Sequence, residues 1–252
     1  MTFFAVDDLG VRFGGVVAVD GVSFEVKERD VYTIIGPNGA GKTTIFNLIG
    51  LIYQPTAGRI LFQEHEVRGA PHDVARLGIA RTFQNIELFE QATVLQNLLI
   101  GRHRHRVTNL FDELLFRPSV RRAEIAQREA VERVIDLLDL AHYRDSRVAG
   151  LPYGIRKVVE LGRALATEPK LILLDEPSSG LNPEETDDMA FWIEDIKALG
   201  ITVLMVEHDM NLVSRVSTRV LALNEGRVIA EGTPAEVQSH PAVIEAYLGG
   251  GA

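Results

Sequence analysis

Residues 36–43 read Gly-Pro-Asn-Gly-Ala-Gly-Lys-Thr, and no other stretch restricts the possible folds of this chain as strongly. The run satisfies G-x-x-x-x-G-K-[ST] at every fixed position. It follows the apolar run Val31–Ile35 and leads into Ile45, Leu48, Ile49 and Ile52 at helical spacing. Strand, glycine-rich loop and helix in that order let backbone N–H groups curl around phosphate oxygens, with the positive end of the helix dipole behind them. Lys42 is then placed to reach the outer phosphates, and the Thr43 hydroxyl to ligate Mg²⁺. The nucleotide-binding candidates are therefore Gly36, Pro37, Asn38, Gly39, Ala40, Gly41, Lys42, Thr43 and Thr44. A chance match in a glycine-rich chain is set aside because the required strand and helix flank it.

A second signal is Leu171-Ile172-Leu173-Leu174 followed by Asp175 and Glu176. Strands of a parallel sheet open at their carboxyl ends onto the ligand crevice, so Asp175 would face the Mg²⁺ and Glu176 the water that attacks the γ-phosphate. Alone, an apolar strand ending in two acids is commonplace; beside a phosphate loop it divides metal and base work.

The chain has 252 residues, 46% of them hydrophobic, enough for a substantial core. Its 35 acidic against 26 basic side chains leave a formal charge of -9, which argues against nucleic acid as a partner. Cysteine is absent, so disulfides and thiolate metal sites are excluded, and the composition fits a reducing compartment. Met1–Gly10 carries Asp7 and Asp8 without a signal-peptide pattern, and no run approaches the roughly 18 apolar residues that span a bilayer. A membrane would be met through a partner.

The opening alternates strand-like pieces, Val17–Val19 and Val22–Val26, with Gly-rich turns. From about residue 90 the texture changes to a basic stretch, Arg102–Arg106, with Arg121 and Arg122 beyond it. Val131, Val134, Ile135 and Leu138 then share a helical face. Residues 90–162 read as a helical insert, and strand texture resumes at Leu171–Leu174 and Ile201–Val206. The nucleotide-binding core is thereby split into 1–89 and 163–252.

Several further elements accompany the loop and the acid pair. They are Gln84 in Thr82-Phe83-Gln84-Asn85, the segment Leu151-Pro152-Tyr153-Gly154-Ile155, Pro177, the turn Gly180-Leu181-Asn182-Pro183, and His208 in Val206-Glu207-His208-Asp209. In this order they resemble the ATP-binding-cassette (ABC) ATPases over nearly the whole chain. The resemblance implies an α/β fold: a P-loop NTPase (RecA-like) core with a mixed, largely parallel sheet, an antiparallel β subdomain and an inserted helical subdomain. It implies that Gln84 senses Mg²⁺ and the attacking water, that His208 touches the γ-phosphate and that Phe13 stacks on adenine. It also implies ATP and Mg²⁺ as ligands, and a head-to-tail homodimer or heterodimer with a related ABC ATPase that sandwiches ATP. Without it, a lone Gln, His or Phe would read as an ordinary surface or core residue.

The segment beginning at Leu151 departs from the family signature Leu-Ser-Gly-Gly-Gln: Pro152 replaces Ser, Tyr153 a Gly and Ile155 the Gln. Gly154 remains, Pro suits the first turn of a helix, and the N–H groups there still favour an anion. One hydroxyl donor is lost, which predicts weaker ATP-driven dimerisation.

The turn Gly180-Leu181-Asn182-Pro183-Glu184-Glu185-Thr186, the arginine-rich insert and the ending from Glu231-Gly232-Thr233-Pro234 through His240-Pro241 and Ile244 to Ala246-Tyr247-Leu248-Gly249 are similar to the branch that powers import of branched-chain and related hydrophobic amino acids. That implies integral membrane permease subunits, indirectly a substrate-binding protein, and a place on the cytoplasmic face of the inner or plasma membrane. Related sequences serve urea, amides, carboxylates or lipopolysaccharide export, and a soluble ABC ATPase of repair or translation is the rival class. The membrane partner is expected near Asn85, Ile86, Leu88 and Phe89, unless Leu88 and Phe89 pack beneath the insert. The basic insert itself reads as a solvated helical face sooner than as a lipid-headgroup site.

Overall fold

The computed structural model describes residues 2–82, 86–105 and 118–248. The chain forms two compact units, one of residues 1–81 and 170–252, the other of residues 82–169.

The first unit holds two sheets. Strands β1 (Phe4–Phe13), β2 (Val16–Val26), β4 (Ala57–Phe62) and β5 (His65–Glu66) form an antiparallel sheet in the order β2-β1-β4-β5. Strands β3 (Val31–Ile35), β6 (Ile79–Arg81), β7 (Leu171–Asp175), β8 (Thr202–Val206), β9 (Arg219–Asn224) and β10 (Arg227–Gly232) form the other, ordered β10-β9-β3-β8-β7-β6. All its pairings are parallel except β9 with β10, which closes one edge as a hairpin. The two stretches read as separate strands, 17–19 and 22–26, are one strand. Gly21, at a φ of 67°, lets it continue through an irregular register.

The period of two decides what each face of the larger sheet buries. Tyr32, Ile34, Leu171, Leu173, Leu204, Val206, Leu221 and Leu223 point to one side. There they join the antiparallel sheet and helix α1 (Lys42–Ile49) in a single apolar core. On the other side Ile35, Val220 and Ala222 pack with Val213, Val237 and Val243. Those last three belong to helices α7 (Met210–Val216), α8 (Pro234–Gln238) and α9 (Pro241–Leu248). Helix α2 (Pro71–Leu77) precedes β6, and α6 (Pro183–Ala198) joins β7 to β8. A parallel sheet covered on both faces explains why β3, β7 and β8 are continuous apolar runs. Helix α1 stops at Ile49, and Leu51 turns out with a φ of 53°, so Ile52 is exposed instead of extending the apolar stripe of the helix.

The second unit is helical: α3 (Val94–Gly101), α4 (Pro118–Leu137) and α5 (Tyr153–Leu165), with short 3₁₀ turns between them. Val131 and Ile135 of α4, and Leu138 just past it, are buried, as their spacing predicts, with Val134 half-buried. Arg102, in the stretch read as a solvated basic face, is 7% exposed. Its guanidinium donates to Gln127 Oε1 at 2.6 Å and the Ala166 carbonyl at 2.9 Å, and pairs with Glu168. That arginine is a buried tie between the ends of α3 and α5.

Candidate functional site

The register of the larger sheet builds the site. Asp175 pairs with Val206, and Val206 with Ile34, so the loops that follow β7, β8 and β3 leave the same sheet edge. The loop behind β3 is the glycine-rich one. Gly36 and Gly41 both sit at positive φ, 153° and 99°, against the backbone of Leu223 and of Ala18. A side chain at residue 41 would place its Cβ 2.8 Å from the Ala18 carbonyl oxygen. The chain then enters α1 with no side-chain cap and no acid in its first turn, leaving the leading N–H groups of that helix for a ligand.

Lys42 is 7% exposed, and its ammonium donates to the carbonyls of Gly36 at 2.7 Å and Pro37 at 3.0 Å, bracing the loop from within. Burial pushes its pKa below the ordinary lysine value, while Glu176 and then Asp175 oppose the shift through their charge. Thr43 and Asn38 are exposed, Thr44 and Pro37 half-buried, and Ala40 buried. The amide of Gly36 contacts the Tyr247 hydroxyl of α9, whose pKa burial raises and this contact partly restores. No sequence pattern pointed to Tyr247 as a neighbour of the phosphate loop.

At the end of β7 Asp175 is 2% exposed, and its Oδ2 accepts from the Arg81 guanidinium at 3.0 Å. Arg81 also donates to Asn47 Oδ1 at 2.9 Å and lies over the Phe46 ring, so a single cation ties β7 to α1. The next residue, Glu176, has a φ of 50°, a conformation that costs a non-glycine residue about 1–3 kcal/mol and concentrates at functional sites. Its N–H donates to the Val206 carbonyl at 2.9 Å, so the turn is held against β8. His208 follows β8 with its side chain 57% exposed. Glu207 before it is fully buried and accepts from three backbone amides, with the His208 Nδ1 3.7 Å from its Oε2. Neither Arg81 nor Glu207 was legible as a site residue, because their partners lie 94 and 29 residues away in sequence.

Phe13, at the end of β1, is 44% exposed and meets Tyr53 edge-on at 5.0 Å. Its ring is thus seated beside the turn that follows α1. In the helical unit α5 starts at Tyr153, with Pro152 at the cap position (φ −54°, ψ 155°), one residue earlier than a first-turn proline. Proline offers no side-chain acceptor there, and the first turn holds no acid. Pro152 and Tyr153 are exposed, Leu151 and Ile155 half-buried and Gly154 buried. The Arg156 and Lys157 cations stand 5.9 Å from the Tyr153 ring centre. Gln84, with Phe83 and Asn85, lies outside the described residues.

A phosphate loop behind the central strand of a largely parallel sheet, with an acid pair ending a strand of that sheet, defines a nucleotide-hydrolysing P-loop fold. The chain belongs to the ABC transporter family, whose pattern it matches over residues 19–179, and is an ATP-binding, ATP-hydrolysing cassette. Residues 227–252 match a second family, "Branched-chain amino acid ATP-binding cassette transporter". The chain is 42% identical to the high-affinity branched-chain amino acid transport ATP-binding protein BraF of Pseudomonas aeruginosa, over 97% of its own length and 96% of BraF. It is 40% identical to LivG of Escherichia coli, a protein of the same description, covering 97% of each chain. An ATP-binding cassette of an ABC transporter crystallised in its ADP conformation superposes with a TM-score of 0.86 at 34% identity, covering 99% of both chains.

Proposed function

We propose that this chain drives an importer of branched-chain or related hydrophobic amino acids by hydrolysing MgATP, with Glu176 as the general base. The observation that carries the mechanism is the sheet register: β7, which ends in Asp175 and leads into Glu176, and β3, which leads into the phosphate loop, flank β8 on either side and end at the same edge. The descriptions of BraF and LivG, and the match of residues 227–252, support the amino-acid class.

In this reading backbone N–H groups of residues 38–44 and the ammonium of Lys42 bind the phosphates of ATP, with Gly36 and Pro37 shaping the loop. Among the described residues no cluster of three His, Cys, Asp or Glu could hold a metal by itself. That fits an ion brought with the nucleotide, carried by Thr43, Asp175 and Gln84 together with phosphate oxygens. Mg²⁺ bound there neutralises phosphate charge. Glu176 takes the proton from the attacking water, His208 holds the γ-phosphate and Phe13 stacks on the base. The start of α5 with the two residues before it, Leu151 through Gly154, meets the nucleotide of a second cassette, either another copy or a related chain. Two features of the start of α5 support that role: like α1 and α2 it has no side-chain cap, and like α1 it has no acid in its first turn. Residues 90–162 would act as the helical subdomain and the remainder as the nucleotide core.

No helix among the described residues is long and apolar enough to cross a membrane. In this reading permease subunits, as the transport descriptions of BraF and LivG suggest, supply the path. Phe89 is a suitable contact for them. The Phe89 ring is 59% exposed while its N–H and carbonyl are both gripped by the fully buried side chain of Asn97, at 2.9 and 3.0 Å. Glu176→Gln should bind ATP yet hydrolyse it at least about a hundredfold more slowly. Single-turnover assays measure this, and near-normal turnover removes Glu176 from the role. Co-purification with membrane subunits and amino-acid uptake assays in reconstituted vesicles test the transport class.

A further inference from the structure

The Glu207 side chain is used to the full without reaching solvent. Its Oε1 accepts the Ser178 N–H at 2.8 Å, and its Oε2 accepts the N–H groups of His208 at 2.7 Å and Asp209 at 3.1 Å. Those donors belong to two different connections. Ser178 lies two residues beyond Glu176, between β7 and α6; His208 and Asp209 lie between β8 and α7. The backbone of Glu207 adds a third attachment, its N–H donating to the Ile34 carbonyl of β3 at 3.3 Å, two residues before the phosphate loop. The Nδ1 of the His208 ring stands 3.7 Å from Oε2, within ion-pair reach but too far for a hydrogen bond, so the hydrogen bonds of the carboxylate go to the backbone. What the carboxylate fixes is the backbone from which that ring projects.

A buried acid is costly unless it is hydrogen-bonded, and bonds from amides to a charged acceptor are among the stronger ones. Two oxygens with three N–H partners make a rigid clip between the loop that carries the base and the loop that carries the phosphate sensor. We infer that Glu207 is a positioning residue that sets Glu176 and His208 relative to each other, so that they hold hydrolysis-ready geometry as one body. The inference rests on the roles given above to those two residues. Glutamine cannot replace the clip: it keeps one acceptor oxygen, and its NH₂ would confront a backbone N–H in one of the two loops. Aspartate keeps the charge but is one methylene short of spanning both.

The test is hydrolysis and nucleotide binding by the full-length protein carrying Glu207→Gln or Glu207→Asp, assayed well below the unfolding midpoint of each variant. Glu176→Gln and His208→Ala serve as controls. A misplacement of about 1 Å lowers turnover strongly, so kcat should fall about tenfold or more in both Glu207 variants. The Kd for MgADP should stay within about twofold, because the phosphate loop is intact. The double variant Glu207→Gln/His208→Ala should be no slower than His208→Ala by more than about twofold, the non-additivity of residues acting through one another. A purely structural role would lower the midpoint and leave kcat and this coupling unchanged. Wild-type turnover in Glu207→Asp, or in Glu207→Gln, while Glu176→Gln is inactive would overturn the inference alone. Wild-type turnover in Glu176→Gln would overturn the functional reading and this inference with it.

Discussion

Helices α1 and α5 begin in the same chemical condition and in different surroundings. Neither has a side-chain cap or an acid in its first turn, so each presents unsatisfied N–H groups and a positive dipole end. The start of α1 is enclosed: Gly41 turns against Ala18, and Lys42 is buried on carbonyls of its own loop. At α5 the start is open, with Pro152 and Tyr153 exposed. An enclosed start is organised before any ligand arrives. An open start suits an anion delivered from outside, as the site proposed above to be shared between two cassettes would require.

Four substitutions test that division, beginning with the largest effect. Gly41→Val should abolish measurable ATP binding by calorimetry, because a Cβ 2.8 Å from the Ala18 oxygen at a φ of 99° disrupts the enclosure itself. Lys42→Ala should weaken ATP by about tenfold to a hundredfold, the loss of one charge-assisted contact of about 1.5–3 kcal/mol. Its nucleotide-free stability should respond differently to pH. The lowered Lys42 pKa means that between its folded value and 10.5 the unfolded chain binds more protons, so stability rises with pH in that window. Lys42→Ala should flatten that rise in denaturant titrations at successive pH values; an unchanged slope would contradict the burial argument.

At the open start, Pro152→Ser in a Glu176→Gln background should tighten ATP-dependent self-association by about tenfold, by supplying a hydroxyl to a charged acceptor. Light scattering across a concentration series measures it, and no change would mean that this turn does not meet nucleotide. Phe13→Ala should be mildest, weakening ATP about two- to tenfold, as one aromatic contact of about 0.5–1.5 kcal/mol would. An equal loss for ADP and ATP would place the contact on the base, away from the terminal phosphate.

The phosphate loop, strands β3 and β7 and the acid pair were legible because each is a contiguous run whose chemistry and periodicity coincide. The limits of legibility lie where contacts between distant residues override local pattern. Ile52 continues the helical spacing of Ile45 and Ile49, but the turn at Leu51 exposes it. Arg81 reads as the polar end of a short strand, yet it is 11% exposed and holds Asp175. Asn182 is the cap of α6: its Oδ1 accepts the Glu185 N–H at 3.0 Å, a role an aspartate would fill equally. Pro152 was legible as a helix start but not as the residue just outside it.

The position of β3 between β8 and β9 bears on how the protein is made. A ribosome adds about 5–20 residues per second from the N-terminus, so the phosphate loop emerges early. The strands that flank β3, residues 202–206 and 219–224, come last among its partners, and Tyr247 follows them. The nascent chain therefore cannot assemble its ATP cradle until residue 224 has left the tunnel.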